Sequence, residues 1–183
     1  AQDLAGNMIS EATTTYDLDT TTASTSSATV TSSSSVGDAA MYTQGEDIKV
    51  NVGYSEEVSV SGTPQLDLGP VTADYNQKID ASTLEFVYTV QNGDSGALTL
   101  GDITLNGGSI TDTLGNDAGL TSSSQSISST SIDTDNPSFD SAITGDATGG
   151  DSTATSKVTL AFSDSTSGVN TGTLDQSDFS IVE

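Results

Sequence analysis

The stretch Asp47-Ile48-Lys49-Val50-Asn51-Val52-Gly53-Tyr54 decides the fold. Side chains alternate faces along an extended backbone, so Ile48, Val50, Val52 and Tyr54 share one side and Asp47, Lys49, Asn51 and Gly53 the other. One face is apolar and the other polar, which predicts a half-buried strand. Residues 83–90 repeat the pattern: Leu84, Phe86, Tyr88 and Val90 alternate with Thr83, Glu85, Val87 and Thr89, a β-branched and aromatic mixture that suits a pleated surface.

Working outward, shorter strands are expected at Val58 and Val60, Leu66 and Leu68, Val71 to Tyr75, Leu98 and Leu100, and Ile103 and Leu105. Between them lie Gly62-Thr63-Pro64, Asn92-Gly93-Asp94, Asn106-Gly107-Gly108 and Gly115-Asn116-Asp117, whose residues tolerate positive φ or form Asx turns. No segment keeps a helical period. Six to eight short strands in about one hundred residues predict an all-β antiparallel sandwich with sheets about 10 Å apart; a closed barrel has the same local patterning.

The composition narrows the chemistry. The 183 residues hold 26 Asp and Glu against 3 Lys and Arg, for a formal charge of −23, and neither Cys nor His. Without thiol or imidazole there is no Cys nucleophile, no Ser-His-Asp triad and no zinc site of nitrogen or sulfur ligands. Nucleic acid and anionic lipid bind through Lys and Arg clusters, so neither is an expected partner. The same charge opposes compaction until screened or neutralised, which makes cations the implied partners. A glycosidase carboxylate pair means nothing amid so many acids, and the few aromatics are taken up by strands, so no enzyme is expected. No apolar run of eighteen residues occurs, so this segment is not expected to insert in a membrane.

An internal repeat sets the domain frame. Asp3-Leu4-Ala5-Gly6-Asn7 matches Asp112-Thr113-Leu114-Gly115-Asn116 at an offset of 109, and residues 49–56 match 157–164 at 108 with the inward apolar positions preserved. Leu18-Asp19-Thr20 matches Ile132-Asp133-Thr134 at 114, the difference falling in the Ser-rich loop at 121–130. In this frame 1–19 is the tail of one repeat, 20–133 a whole repeat, and 134–183 the first half of a third. A half sandwich leaves an open edge, so 134–183 calls for strands from more chain or from a neighbouring subunit, as in a strand-exchanged filament.

Taken together, Gln44 to Ile48, Tyr54 to Val58, Gly62 to Leu66, Leu84 to Asp94, Leu105 to Gly108 and Asp112 to Asn116 resemble the immunoglobulin-like repeats of large bacterial adhesins and of archaeal and bacterial surface-layer proteins. Asp133-Thr134-Asp135-Asn136-Pro137 keeps that family's lead into a proline. At the first junction Ala23 stands where the proline would sit, which implies a less rigid joint.

The resemblance implies immunoglobulin-like sandwiches in tandem, an extracellular location at the cell surface, a scaffold role without catalysis, and neighbouring copies or repeats as partners. It also implies calcium at the domain junctions, for which the candidate ligands are Asp19, Glu56, Asp112, Asn116, Asp133 and Asp135. The competing role for these side chains is as Asx-turn residues and solvated charges. No EF-hand loop is present, so ligands must come from separated loops.

Thirteen of the sixteen residues from 20 to 35 are Ser or Thr, which predicts an edge strand around Ala28-Thr29-Val30 or, alternatively, O-glycosylation. The leading expectation is a surface-layer subunit or adhesin stalk repeat. The alternatives are a carbohydrate- or protein-binding sandwich and a filament subunit.

Overall fold

A computed structural model describes residues 4–6, 8, 16, 18–34, 41–122, 127, 129–144, 158–164 and 168–169. Asp3, Asn7 and Lys157 of the repeat matches, and most of residues 145–183, lie outside the described residues.

Among the described residues the chain is all-β, with no helix and almost wholly antiparallel pairing. The largest sheet has six strands and is curled like half a barrel. Its order is β1 (Thr25–Val30), β3 (Asp47–Tyr54), β7 (Thr83–Thr89), β6 (Thr72–Asp80), β5 (Gln65–Asp67) and β9 (Ile103–Thr104). Two small sheets join β4 (Val58–Ser61) to β10 (Ser109–Asp112), and β11 (Ser131–Asp133) to both β2 (Met41–Tyr42) and β8 (Ser95–Ala97). The β11–β2 pair is parallel. A fourth sheet pairs β12 (Ser138–Thr144) with β13 (Val158–Ser163).

The alternation in β3 becomes burial: Ile48, Val50 and Val52 are fully buried and Tyr54 nearly so. Opposite them in register, Val50 faces Phe86 and Val52 faces Leu84, both fully buried. Phe86 also meets Tyr75 edge-on, with centroids 6.1 Å apart and planes at 71°. Burying each such side chain contributes about 1.5–3 kcal/mol. The core continues through Val58 of β4, Leu66 of β5, Ile103 of β9, Ile110 of β10 and Ile132 of β11, so strands of three sheets share one apolar interior.

The non-core face of the large sheet carries Glu85, which is also buried. Its Oε1 accepts from Asn76 Nδ2 at 2.7 Å and Gln77 Nε2 at 2.9 Å, and these bonds hold its carboxyl below the usual glutamate range.

The edge strand expected around Ala28-Thr29-Val30 is β1, at one end of the six-stranded order. Turn chemistry also falls where expected: Gly62, Gly93, Asn106, Gly107 and Gly115 all have positive φ. Gly62 is required twice over, because at φ 70° an added Cβ would lie 2.8 Å from the Gly108 Cα.

The strand expected at Leu98 and Leu100 is displaced. Leu98 and Leu100 belong to no strand, and the pairing segment lies just before them at Ser95–Ala97. Leu98 is instead anchored by its amide, which donates to Thr130 O at 2.8 Å while the side chain is buried.

Local geometry recurs at the offsets of the sequence repeat. In β1–β3, Thr25 pairs with Tyr54, the register then slips, and Ser27, Ala28, Thr29 and Val30 pair with Gly53, Val52, Asn51 and Val50. In β12–β13, Phe139 pairs with Phe162, the register slips at the same step, and Ser141, Ala142, Ile143 and Thr144 pair with Ala161, Leu160, Thr159 and Val158. Every pair of the second set is the first moved by 114 on one strand and 108 on the other. The turns Leu4-Ala5-Gly6 and Thr113-Leu114-Gly115 also correspond, with Gly6 at φ 86° and Gly115 at φ 92°.

Candidate metal centre

Three carboxylates from distant segments converge before β1. Asp19 lies on the segment that enters β1, Glu56 in the turn between β3 and β4, and Asp112 at the end of β10. Each offers one carboxylate oxygen to a group in which these atoms all lie within 4.8 Å of one another.

Backbone bonds hold the segments together. Ser55 N donates to Ser24 O at 2.8 Å and Ser24 N to Ser55 Oγ at 3.0 Å, which fixes the Glu56 turn against the entering chain. Gly119 N donates to Ala23 O at 2.7 Å. Ala23 itself is fully buried. Ala23 therefore belongs to the core cluster, next to the segment that carries Asp19.

Each aspartate is oriented by its own loop. Asp19 Oδ1 accepts from Thr21 N at 2.8 Å and from the Thr21 hydroxyl, an Asx turn with its side-chain variant. Asp112 Oδ1 accepts from Leu114 N and Asn116 N, both at 2.8 Å, and Oδ2 accepts from Asn116 Nδ2 at 2.6 Å. Asn116 Nδ2 also reaches Asp19 O at 3.3 Å. Asn116, expected as a ligand, thus braces Asp112 and ties it to the Asp19 segment.

The electrostatics divide the three groups. Bonds from Thr21 hold Asp19 below the ordinary aspartate range, and the Asn116 amide with neighbouring backbone amides does the same for Asp112. Glu56 is pushed above the ordinary glutamate range, first by desolvation and then by the charges of Asp19 and Asp112. Two carboxylates are fixed as anions and the third is opposed by them. A hard cation relieves that opposition, and an all-oxygen donor set suits calcium or magnesium rather than zinc or copper. The carboxylates keep lone pairs beyond those used in hydrogen bonds, so the donor set fits such an ion.

The remaining candidates lie elsewhere. Asp133 ends β11 and is buried, and Asp135 is exposed. Asp133 Oδ1 accepts from Asp135 N at 3.0 Å, the turn Asp19 makes with Thr21. Four of the six candidates are therefore brought together, and Asp133 and Asp135 form no acidic trio among the described residues. The expected residues omitted Thr21, whose place two positions after Asp19 is itself an Asx-turn signal.

No family model, curated protein or solved structure matches the chain.

Proposed function

We propose that this chain is a non-catalytic structural segment of a cell-surface protein, in which immunoglobulin-like sandwiches follow one another and a divalent cation, calcium by its donor chemistry, stiffens the entry to a module. The observation that carries this reading is the convergence of Asp19, Glu56 and Asp112 within 4.8 Å, where the incoming chain meets the β3–β4 turn and the end of β10. A cation there joins the segment before the module to two loops of the module itself. The recurrence of the β1–β3 register in β12–β13, slip included, supports a tandem arrangement of like units. The shared core between the curled sheet and the smaller sheets supports a sandwich. Placement outside the cell rests on the resemblance of residues 44–116 to surface repeats, and the charge of −23 suits a scaffold that gathers cations.

Calcium titration followed by thermal unfolding tests the reading. Millimolar calcium should raise the melting temperature of the chain, and a chelator should reverse the rise. An identical melt with calcium and with chelator contradicts the cation role.

A further inference from the structure

We infer that Thr134 latches the joint between β11 and β12: its hydroxyl bridges the turn from Gln91 to Asp94 and thereby holds β12 and β13 in one orientation relative to the shared core. The inference rests on the tandem reading and deepens it by naming the residue that sets the angle between successive units. β11 runs antiparallel to β8, with Ser131 opposite Ala97, Ile132 opposite Gly96 and Asp133 opposite Ser95. Continued by one step, this register would place Thr134 opposite Asp94. The strand ends at Asp133 instead, and the Thr134 side chain takes over. Gly93 N donates to Thr134 Oγ1 at 2.9 Å, and the same hydroxyl donates to Asp94 O at 2.9 Å. One oxygen serves as acceptor and donor at once, which a hydroxyl can do and a methyl cannot.

Both sides of the latch are anchored. The turn is rooted in β7, because Asp94 Oδ2 accepts from Tyr88 OH at 2.5 Å and from Gln91 N at 2.8 Å, while Asp94 N donates to Gln91 O at 3.2 Å. On the other side Ile132 is fully buried in the core and Asp133 is buried beside it. The run from Thr134 to β12 is short and restricted. Asp135 N donates to Asp133 Oδ1 at 3.0 Å. Pro137 fixes its own φ, limits Asn136 to extended conformations, and leads directly into β12 at Ser138. Few soft dihedrals remain between the hydroxyl and β12, so the direction set at Thr134 carries through to the next unit. Removing the hydroxyl moves the last tie to the β7–β8 turn back to Asp133, and the joint gains freedom before the proline can restrict it.

Residual dipolar couplings and amide exchange of the full chain test the latch. In the wild type, couplings from β12 and β13 should fit the alignment tensor of β3 and β7. Thr134→Val keeps the side-chain shape and removes the hydroxyl. It should cut the β12 and β13 couplings by about half or more relative to those of β3. It should also speed exchange of the Gly93 amide by about tenfold or more, while β3 stays protected. Thr134→Ser, which keeps the hydroxyl, should retain the wild-type couplings and the slow Gly93 amide. A Thr134→Val chain whose β12 and β13 still fit the wild-type tensor overturns the inference, as does a Gly93 amide that exchanges equally fast in both proteins. The edge-on contact of Phe139 with Phe162, at 5.6 Å, separates its failure from that of the tandem reading. Absence of that contact in the wild-type chain brings down both. If the contact is present but wild-type β12 and β13 need a tensor of their own, the latch alone falls.

Discussion

Replacing Glu56 with glutamine should act in opposite directions with and without calcium. Without the ion, Glu56 ionises against Asp19 and Asp112, which their own hydrogen bonds keep charged, so Glu56→Gln should raise the melting temperature. With the ion, the same change removes one of three carboxylates. Extracellular calcium modules bind with a Kd of about 0.1–1 mM. At 10 mM calcium mass action then contributes about 1.4–2.7 kcal/mol, or roughly 5–15 °C for a unit of this size. A loss of about tenfold in affinity on removing a charged ligand leaves a shift of only a few degrees.

The pH dependence has a definite sign. A folded-state pKa raised above the unfolded one means that Glu56 favours folding below the ordinary glutamate value of 4.5 and loses that contribution as pH rises through its raised value. Asp19 and Asp112, with lowered values, contribute above the ordinary aspartate value of 3.8 and lose the contribution as pH falls through their folded values. Calcium-free wild type should therefore gain stability on acidification from neutrality toward 4.5 relative to Glu56→Gln, and calcium should abolish the difference. Differential scanning fluorimetry over pH with both proteins measures this. A Glu56→Gln protein that is less stable than wild type without calcium, or equally calcium-responsive, refutes the reasoning.

Further outcomes follow from the core, the turns and the brace. Phe86→Ala should lower stability by about 3–5 kcal/mol in urea unfolding, since the ring is fully buried between Val50 and Tyr75. Tyr54→Phe should stabilise by about 1 kcal/mol, because the hydroxyl is buried with no partner among the described residues and burial pushes it to a pKa of about 12. Gly62→Ala should cost more than Gly93→Ala by denaturant midpoint: both have positive φ, but only Gly62 has a neighbour, Gly108 Cα, within 3 Å of an added Cβ. Asn116→Ala should weaken calcium binding by about 10–100-fold in calorimetry through loss of the brace on Asp112.

The strands legible in the sequence are those whose two faces differ. β3 and the first half of β7 alternate apolar and polar, and both sit with their apolar faces in the core. β8 was not legible because Ser95-Gly96-Ala97 carries no apolar alternation and is held by pairing with β11 across the chain. The far end of β6, Asn76 to Asp80, is polar and was also missed. It continues as strand because β7 supplies its partners through two register shifts. Parallel pairing of β11 with β2 depends on residues 90 apart and leaves no local trace.

At the site, Asp112 and Asn116 stood out through Gly115 and the repeat, but sequence separation hides that Asp19 and Glu56 fold back on them. That meeting is set by the bonds among Ser24, Ser55, Ala23 and Gly119. Asp133 makes the turn that Asp19 makes, with Asp135 N in the place of Thr21 N, but belongs to no acidic trio among the described residues, so residue type alone did not separate ligand from turn.

Amide chemical-shift mapping during calcium titration tests the cation site most directly. The account predicts saturable shifts concentrated at Thr21, Glu56, Leu114 and Asn116, with Glu56→Gln suppressing them. Shifts spread evenly over the exposed acidic loops, or a set that survives Glu56→Gln unchanged, would contradict it.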